Sequence, residues 1–196
     1  MLQGAPVSFV QVAAFLGLSL IFFFFVLRAV AARTHETGTT ADARSRMGIL
    51  LQSIGIGAAG FGFVAIRTGP PSLFDLIETT VVVALMGGAV ALFASSSRAL
   101  GKNWSLVART RSDHQLIRTG PYARVRHPIY LGMLLFLLAM AVAFDHWRQL
   151  IVAIPVFLAG TSIRTRIEDR LLEQNFGQEF IDYRNSTPAL LPRLSA

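Results

Sequence analysis

Two polar stretches hold the residues whose types and spacing could do chemistry. The first runs Asp113-His114-Gln115-Leu116-Ile117-Arg118-Thr119-Gly120-Pro121-Tyr122-Ala123-Arg124-Val125-Arg126-His127-Pro128-Ile129-Tyr130-Leu131-Gly132. Gly120-Pro121 reads as a turn, and Pro128 suits the first position of a helix. A helix start presents unpaired N–H groups and a positive dipole end, which favour a carboxylate or a phosphate. The plainer alternative is that Arg124, Arg126 and His127 only meet lipid headgroups. The second stretch is Arg164-Thr165-Arg166-Ile167-Glu168-Asp169-Arg170-Leu171-Leu172. Arg164 and Glu168 are four residues apart, so a helix puts them on one face, either as a surface ion pair or as the cation and anion of a site. The sequence has no Gly-rich phosphate loop, no His-x-x-x-His pair and no Ser/His/Asp set. Histidines at 35, 114, 127 and 146 do not have the spacing of a metal site. Cysteine is absent, which excludes disulfides, thiolate catalysis and Cys-based zinc sites.

These stretches lie in a chain of 196 residues that is 53% hydrophobic and 15% charged. Mean hydropathy is +0.54. Soluble domains carry about 25% charged residues, so a water-soluble globule, a disordered tail and a coiled coil are all excluded. What remains is an integral membrane protein whose first partner is the lipid bilayer. The net charge of +7 does not indicate nucleic acid, because the basic residues sit between apolar runs and not on one polar face.

A span needs about 20 mostly apolar residues to cross about 30 Å of hydrocarbon. The sequence predicts five, at about 7–27, 47–66, 73–94, 129–144 and 147–163, in a single all-α membrane domain over 1–196. No basic residue precedes the first apolar run, so it reads as a span and not as a signal peptide. Asp145-His146 joins the last two spans into a tight hairpin. A cytoplasmic helix over about 164–176 follows, closed by Gly177. A short amphipathic stretch at 180–183 then precedes Pro188 and Pro192. Sixteen of the Lys and Arg residues fall on one side of this arrangement and two on the other. The positive-inside rule then puts the N-terminus outside, and both polar stretches and the C-terminus in the cytoplasm. Gly55-xxx-Ala59, Ala58-xxx-Gly62 and Gly87-xxx-Ala91 allow close helix approach, expected within the monomer. Asp75 and Glu78 fall near the outer end of the third span, where water or a neighbouring Ser or Thr can meet them.

Gly120-Pro121-Tyr122 … Arg126-His127-Pro128-Ile129-Tyr130-Leu131-Gly132 resembles the G-x-Y…R-H-P-x-Y-x-G signature of integral membrane methyltransferases. Arg164…Glu168-Asp169…Phe176-Gly177…Tyr183…Pro188 resembles the R-x-x-x-E-[ED]…F-G…Y…P pattern that follows it. In this order around a hairpin, over about 113–194, the pair resembles the isoprenylcysteine carboxyl methyltransferase family and its phospholipid-methyltransferase relatives. The resemblance implies S-adenosylmethionine as cofactor, held at the cytoplasmic ends of the last two spans. It implies cofactor contacts from His114, Gln115, Leu116 and Ile117, from Tyr122, and from His127, Pro128, Ile129 and Tyr130. Glu168 matches the family's cofactor-binding glutamate and Arg164 its substrate-contacting arginine, and these two are the residues expected to act in catalysis. Val107 departs from the polar cofactor contact that some members carry there.

Elementary chemistry agrees with those roles. An ionised Glu168 can attract the cationic or hydroxyl groups of the cofactor, and a helix start suits its carboxylate. A carboxylate acceptor is already deprotonated at neutral pH, so no general base is needed. Arg164 can orient such an acceptor and would repel a protonated amine. The expected reaction is methyl transfer to the carboxylate of a lipophilic, isoprenylcysteine-like acceptor. The alternatives are N-methylation of a phospholipid amine, a nicotinamide-dependent membrane reductase, and a non-catalytic scaffold or small transporter. No basic cluster for a 2′-phosphate favours the reductase. No mid-span acid or base favours the transporter.

Overall fold

The computed structural model describes residues 6–32, 43–101 and 115–192. Val7–Ser8 (β1) leads directly into helix α1, Phe9–Ala31, capped by the Ser8 hydroxyl, which accepts from the Val10 amide. Helix α2 is Ala43–Gly60, β2 is Ile66–Arg67, and α3 is Leu73–Leu100. A single 3-10 turn, Gly120–Ala123, precedes α4, Pro128–Ala143. A second such turn, Trp147–Gln149, opens α5, Leu150–Phe176, and α6 is Gln178–Ser186. The fold is all-α apart from β1 and β2, which pair in parallel over two residues each.

Among the described residues, three helices are long and apolar enough to cross a membrane: α1, α3, and the run Trp147–Phe176 that contains α5. Helix α4 is equally apolar but has only 16 residues. Helix α2 carries Arg44, Arg46 and Gln52 within its length, which dilutes its hydropathy. It also stops at Gly60, short of the expected end at Ile66. Gly62 then turns the chain with φ +151°, and a Cβ there would stand 2.9 Å from Nε2 of His146. The apolar residues after Gly60 go instead into the approach to β2, a distinction that hydropathy alone does not make. The expected fifth span and the helix after it prove to be one continuous helix. It ends where Gly177, at φ +52°, donates to the Glu173 carbonyl at 2.8 Å.

Asp75 resolves as a cap. Its carboxylate receives the Ser72 amide and hydroxyl at 2.6 Å each and Arg67 at 2.5 Å, which closes the start of α3.

Helix α2 packs along α5, while α3 packs against both α4 and α1. The α2–α5 crossing is backbone against backbone. A Cβ at Gly160 would lie 2.6 Å from the Gly48 carbonyl oxygen, and one at Gly55 would lie 2.8 Å from the Phe157 amide nitrogen. Gln52 donates to the Thr161 hydroxyl at 2.9 Å within this contact. Of the small-residue pairs read from sequence, Gly55 and the fully buried Ala59 serve packing inside the chain, whereas a Cβ on Gly87 would meet no other part of the chain within 4 Å. Phe15, Phe22, Phe93 and Phe136 fill the space between α1, α3 and α4, with ring centroids 5.2–5.5 Å apart. The hairpin legs α4 and α5 are pinned at one end by the turn at Asp145 and His146. At the other end they meet again through side chains.

Candidate active site

That second meeting point gathers the charged residues. Proline at the first position of α4 disfavours helical backbone in the residue before it, and His127 has φ −125° and ψ 60°. The chain entering α4 is held by the segment after α6: the Arg126 amide donates to the Pro188 carbonyl and the His127 amide to the Ala189 carbonyl, both at 2.9 Å. The Tyr183 hydroxyl on α6 donates to the Tyr122 carbonyl at 2.6 Å. Burial pushes the Tyr183 phenol up to about 12 and raises Tyr122 further, so both stay protonated.

From α5, one turn presents Arg164, Glu168 and Asp169 to this entry segment. The Tyr130 hydroxyl donates to Oε1 of Glu168. Arg164 Nη2 lies 3.4 Å from the same oxygen, with its guanidinium 5.1 Å from the Tyr130 ring centroid. His127 Nδ1 lies 3.3 Å from Oε2 of Glu168, and its Nε2 lies 3.0 Å from Oδ1 of Asp169. The His127 and Tyr130 rings stack at 21°. Arg126 completes the group, with Nη2 2.9 Å from Oδ2 of Asp169 and Nη1 donating to the carbonyls of Arg184, at 3.1 Å, and Thr187. Burial disfavours a charge on His127, but its hydrogen bonds to Asp169 and Glu168, and their charges, outweigh this and raise it above the ordinary histidine range.

Of the residues singled out in the sequence, Tyr130, His127, Arg164 and Glu168 come into direct contact. Pro128 and Tyr122 are buried beside them. Ile129 turns to the hydrophobic core. Gln115, Leu116 and Ile117 have no regular secondary structure, Gln115 is exposed, and His114 lies outside the described residues. The start of α4 is less open to an anion than expected: Pro128 has no N–H, and the Tyr130 and Leu131 amides turn to the His127 carbonyl at 3.1 and 3.3 Å. The headgroup reading suits the exposed Arg124 and fails for Arg126 and His127, whose side chains are only 10% and 4% exposed. Asp169 and Arg126 were given no role in the site by sequence reasoning. Asp169 stands next to Glu168, which was a usable signal, but a pairing across 43 residues is visible only in three dimensions.

Residues 77–179 match the family described as phospholipid methyltransferase. The chain is 27% identical over 127 residues to a protein-S-isoprenylcysteine O-methyltransferase of Saccharomyces cerevisiae, covering 61% of this chain and 53% of that one. Over 122 residues it is 29% identical to the Schizosaccharomyces pombe protein of the same name, covering 61% and 51%. It is 30% identical over 119 residues to the nickel-cobalt-cadmium resistance protein NccN of Alcaligenes xylosoxydans xylosoxydans, covering 60% and 54%. The chain thus spans about half the length of the curated relatives it matches. The matched region takes in Tyr122, His127, Tyr130, Arg164 and Glu168, the residues that converge at the end of the hairpin, and the chain belongs to the phospholipid methyltransferase family.

Proposed function

We propose that the protein transfers a methyl group from S-adenosylmethionine to the carboxylate of a lipophilic, isoprenylcysteine-like acceptor at the cytoplasmic face of a membrane. The observation that carries this reading is the Glu168 carboxylate, bounded by His127, Tyr130 and Arg164 yet with its side chain 25% exposed. A carboxylate has room for about four hydrogen bonds, so these three partners leave capacity for a cation or hydroxyl of the cofactor. The donor set therefore fits that group. When bound, it supplies an electrophilic methyl on a sulfonium. Glu168 then binds and orients it, Tyr130 and His127 fix the carboxylate that does so, and the surrounding burial limits water. Arg164 has five N–H donors in a planar fork, enough to serve Glu168 and an acceptor carboxylate together. Five spans, with the N-terminus outside and the site inside, complete the proposal. Under it, α2 and α4 cross as parts of the bundle, α2 despite its diluted hydropathy and α4 despite its short length.

An amine acceptor is the second reading. It is favoured by the family description itself and by Glu168, which offsets the Arg164 charge that would repel an amine. Radiolabelled methyl transfer to a prenylcysteine analogue and, separately, to phosphatidylethanolamine decides between them. On the carboxylate reading, product is base-labile and forms from the first alone. Arg164→Lys then lowers turnover with little change in cofactor affinity, and Arg164→Ala nearly abolishes it. Base-stable product from the lipid, undiminished in Arg164→Ala, overturns it.

A further inference from the structure

Asp169 does no chemistry in the scheme above, yet it is tied into the site as tightly as Glu168. Both ring nitrogens of His127 face a carboxylate oxygen: Nε2 faces Asp169 at 3.0 Å and Nδ1 faces Glu168 at 3.3 Å. An ionised carboxylate only accepts hydrogen bonds, so both nitrogens can be satisfied at once only if both carry protons. A neutral ring would set a lone pair against one carboxylate in a site where His127 is nearly inaccessible to water. On its other oxygen Asp169 holds Arg126, and Arg126 in turn holds the carbonyls of Arg184 and Thr187. One carboxylate therefore connects the ring beside Glu168 to the segment that closes over the start of α4.

We infer that Asp169 is a positioning residue: it fixes the His127 ring so that Nδ1 donates to Glu168, and through Arg126 it ties that arrangement to the C-terminal segment. The inference rests on the methyltransferase reading only in what Glu168 is held ready for. Among the described residues, the charged and titratable groups around the ring are few. On its own segment they are Arg126 and Tyr130; from α5 they are Glu168, Asp169 and, through Glu168, Arg164. Tyr183 on α6 and Tyr122 lie behind them. Both carboxylates favour the charged ring, in keeping with its raised proton affinity. Asp169→Asn keeps the shape and an acceptor oxygen while removing half of the ring's counter-charge.

The test is the proton count on His127, read from ring nitrogen NMR shifts of histidine-labelled protein in detergent. At about pH 8, above the ordinary histidine range, the wild-type ring should carry two protons. In Asp169→Asn it should carry one. S-adenosylmethionine affinity by calorimetry should then weaken about tenfold in that variant, as expected for loss of a group that orients a ligand-binding side chain. A singly protonated ring in the wild type overturns the inference without recourse to any variant. So does a folded Asp169→Asn whose ring titrates as in the wild type. A doubly protonated ring in a protein that binds no S-adenosylmethionine would uphold the positioning geometry and sink the proposed reaction instead.

Discussion

Glu168 is a side chain on which the internal network and the proposed cofactor site converge. Glu168→Ala should weaken S-adenosylmethionine binding by about 1.5–3 kcal/mol, or roughly 10- to 150-fold, as measured by calorimetry. Unchanged affinity would reduce Glu168 to a counter-ion for Arg164 and His127. His127 also makes a prediction about pH. Its proton affinity is higher in the folded chain than in the unfolded one, so its contribution to stability is complete below the ordinary histidine range and is lost as pH rises through the folded value. The thermal midpoint should fall from neutral into alkaline pH, and His127→Gln should flatten that slope; parallel slopes would remove the ring from the account. The sequence made Arg164 and Glu168 legible because helical spacing is local. Arg126 was legible as part of a motif but not in its role, because its partners on α5, on α6 and just beyond it are remote in sequence and near only after folding.

At the scale of elements, the contact of α2 with α5 sets where the Arg164 stem can lie. A Cβ on Gly48 would come within 2.5 Å of Cγ of Arg164 and 3.0 Å of the Gly160 carbonyl. Gly160→Ala, pressed against backbone at 2.6 Å, should destabilise by about 1–3 kcal/mol, as over-packed sites do. Gly87→Ala meets nothing within 4 Å and should stay within about 0.5 kcal/mol of wild type. Thermal unfolding in one detergent compares the two, and equal losses would mean that the crossing is looser than described. Small-residue spacing found Gly55 in the sequence but passed over Gly48 and Gly160. These two lie on different helices, and only the crossing makes them a pair. The end of α5 at Gly177 was legible from sequence, whereas hydropathy missed how the second apolar stretch ends: Gly60 and β2 are settled by local turns and by tertiary partners.

For the whole molecule, the proposed five spans divide the basic residues sixteen to two, and the orientation they predict can be tested. A cysteine at Ser72 should react with an impermeant thiol label on intact cells, and one at Gln178 should not; labelling at Gln178 would reverse the protein in its membrane. The membrane character was legible from composition, since no other class accommodates so few charges. The closure of the site by Pro188 and Ala189 was not, because Pro188 stands in the sequence only as the end of a motif and nothing there shows that the two carbonyls are used. That closure has a consequence for synthesis. The amides of Arg126 and His127 emerge early and wait for acceptors that are made only after α5 and α6. A stop codon after Ser186 would delete no side chain used in the proposed chemistry, yet it would leave those two amides without carbonyls, at about 1–3 kcal/mol each. The truncated chain should still enter the membrane but should give no calorimetric signal with S-adenosylmethionine; full affinity would show that the clasp is dispensable. If the signal is lost, order of manufacture would act as a check on quality, since a chain released too soon would be inserted without gaining the ability to bind S-adenosylmethionine.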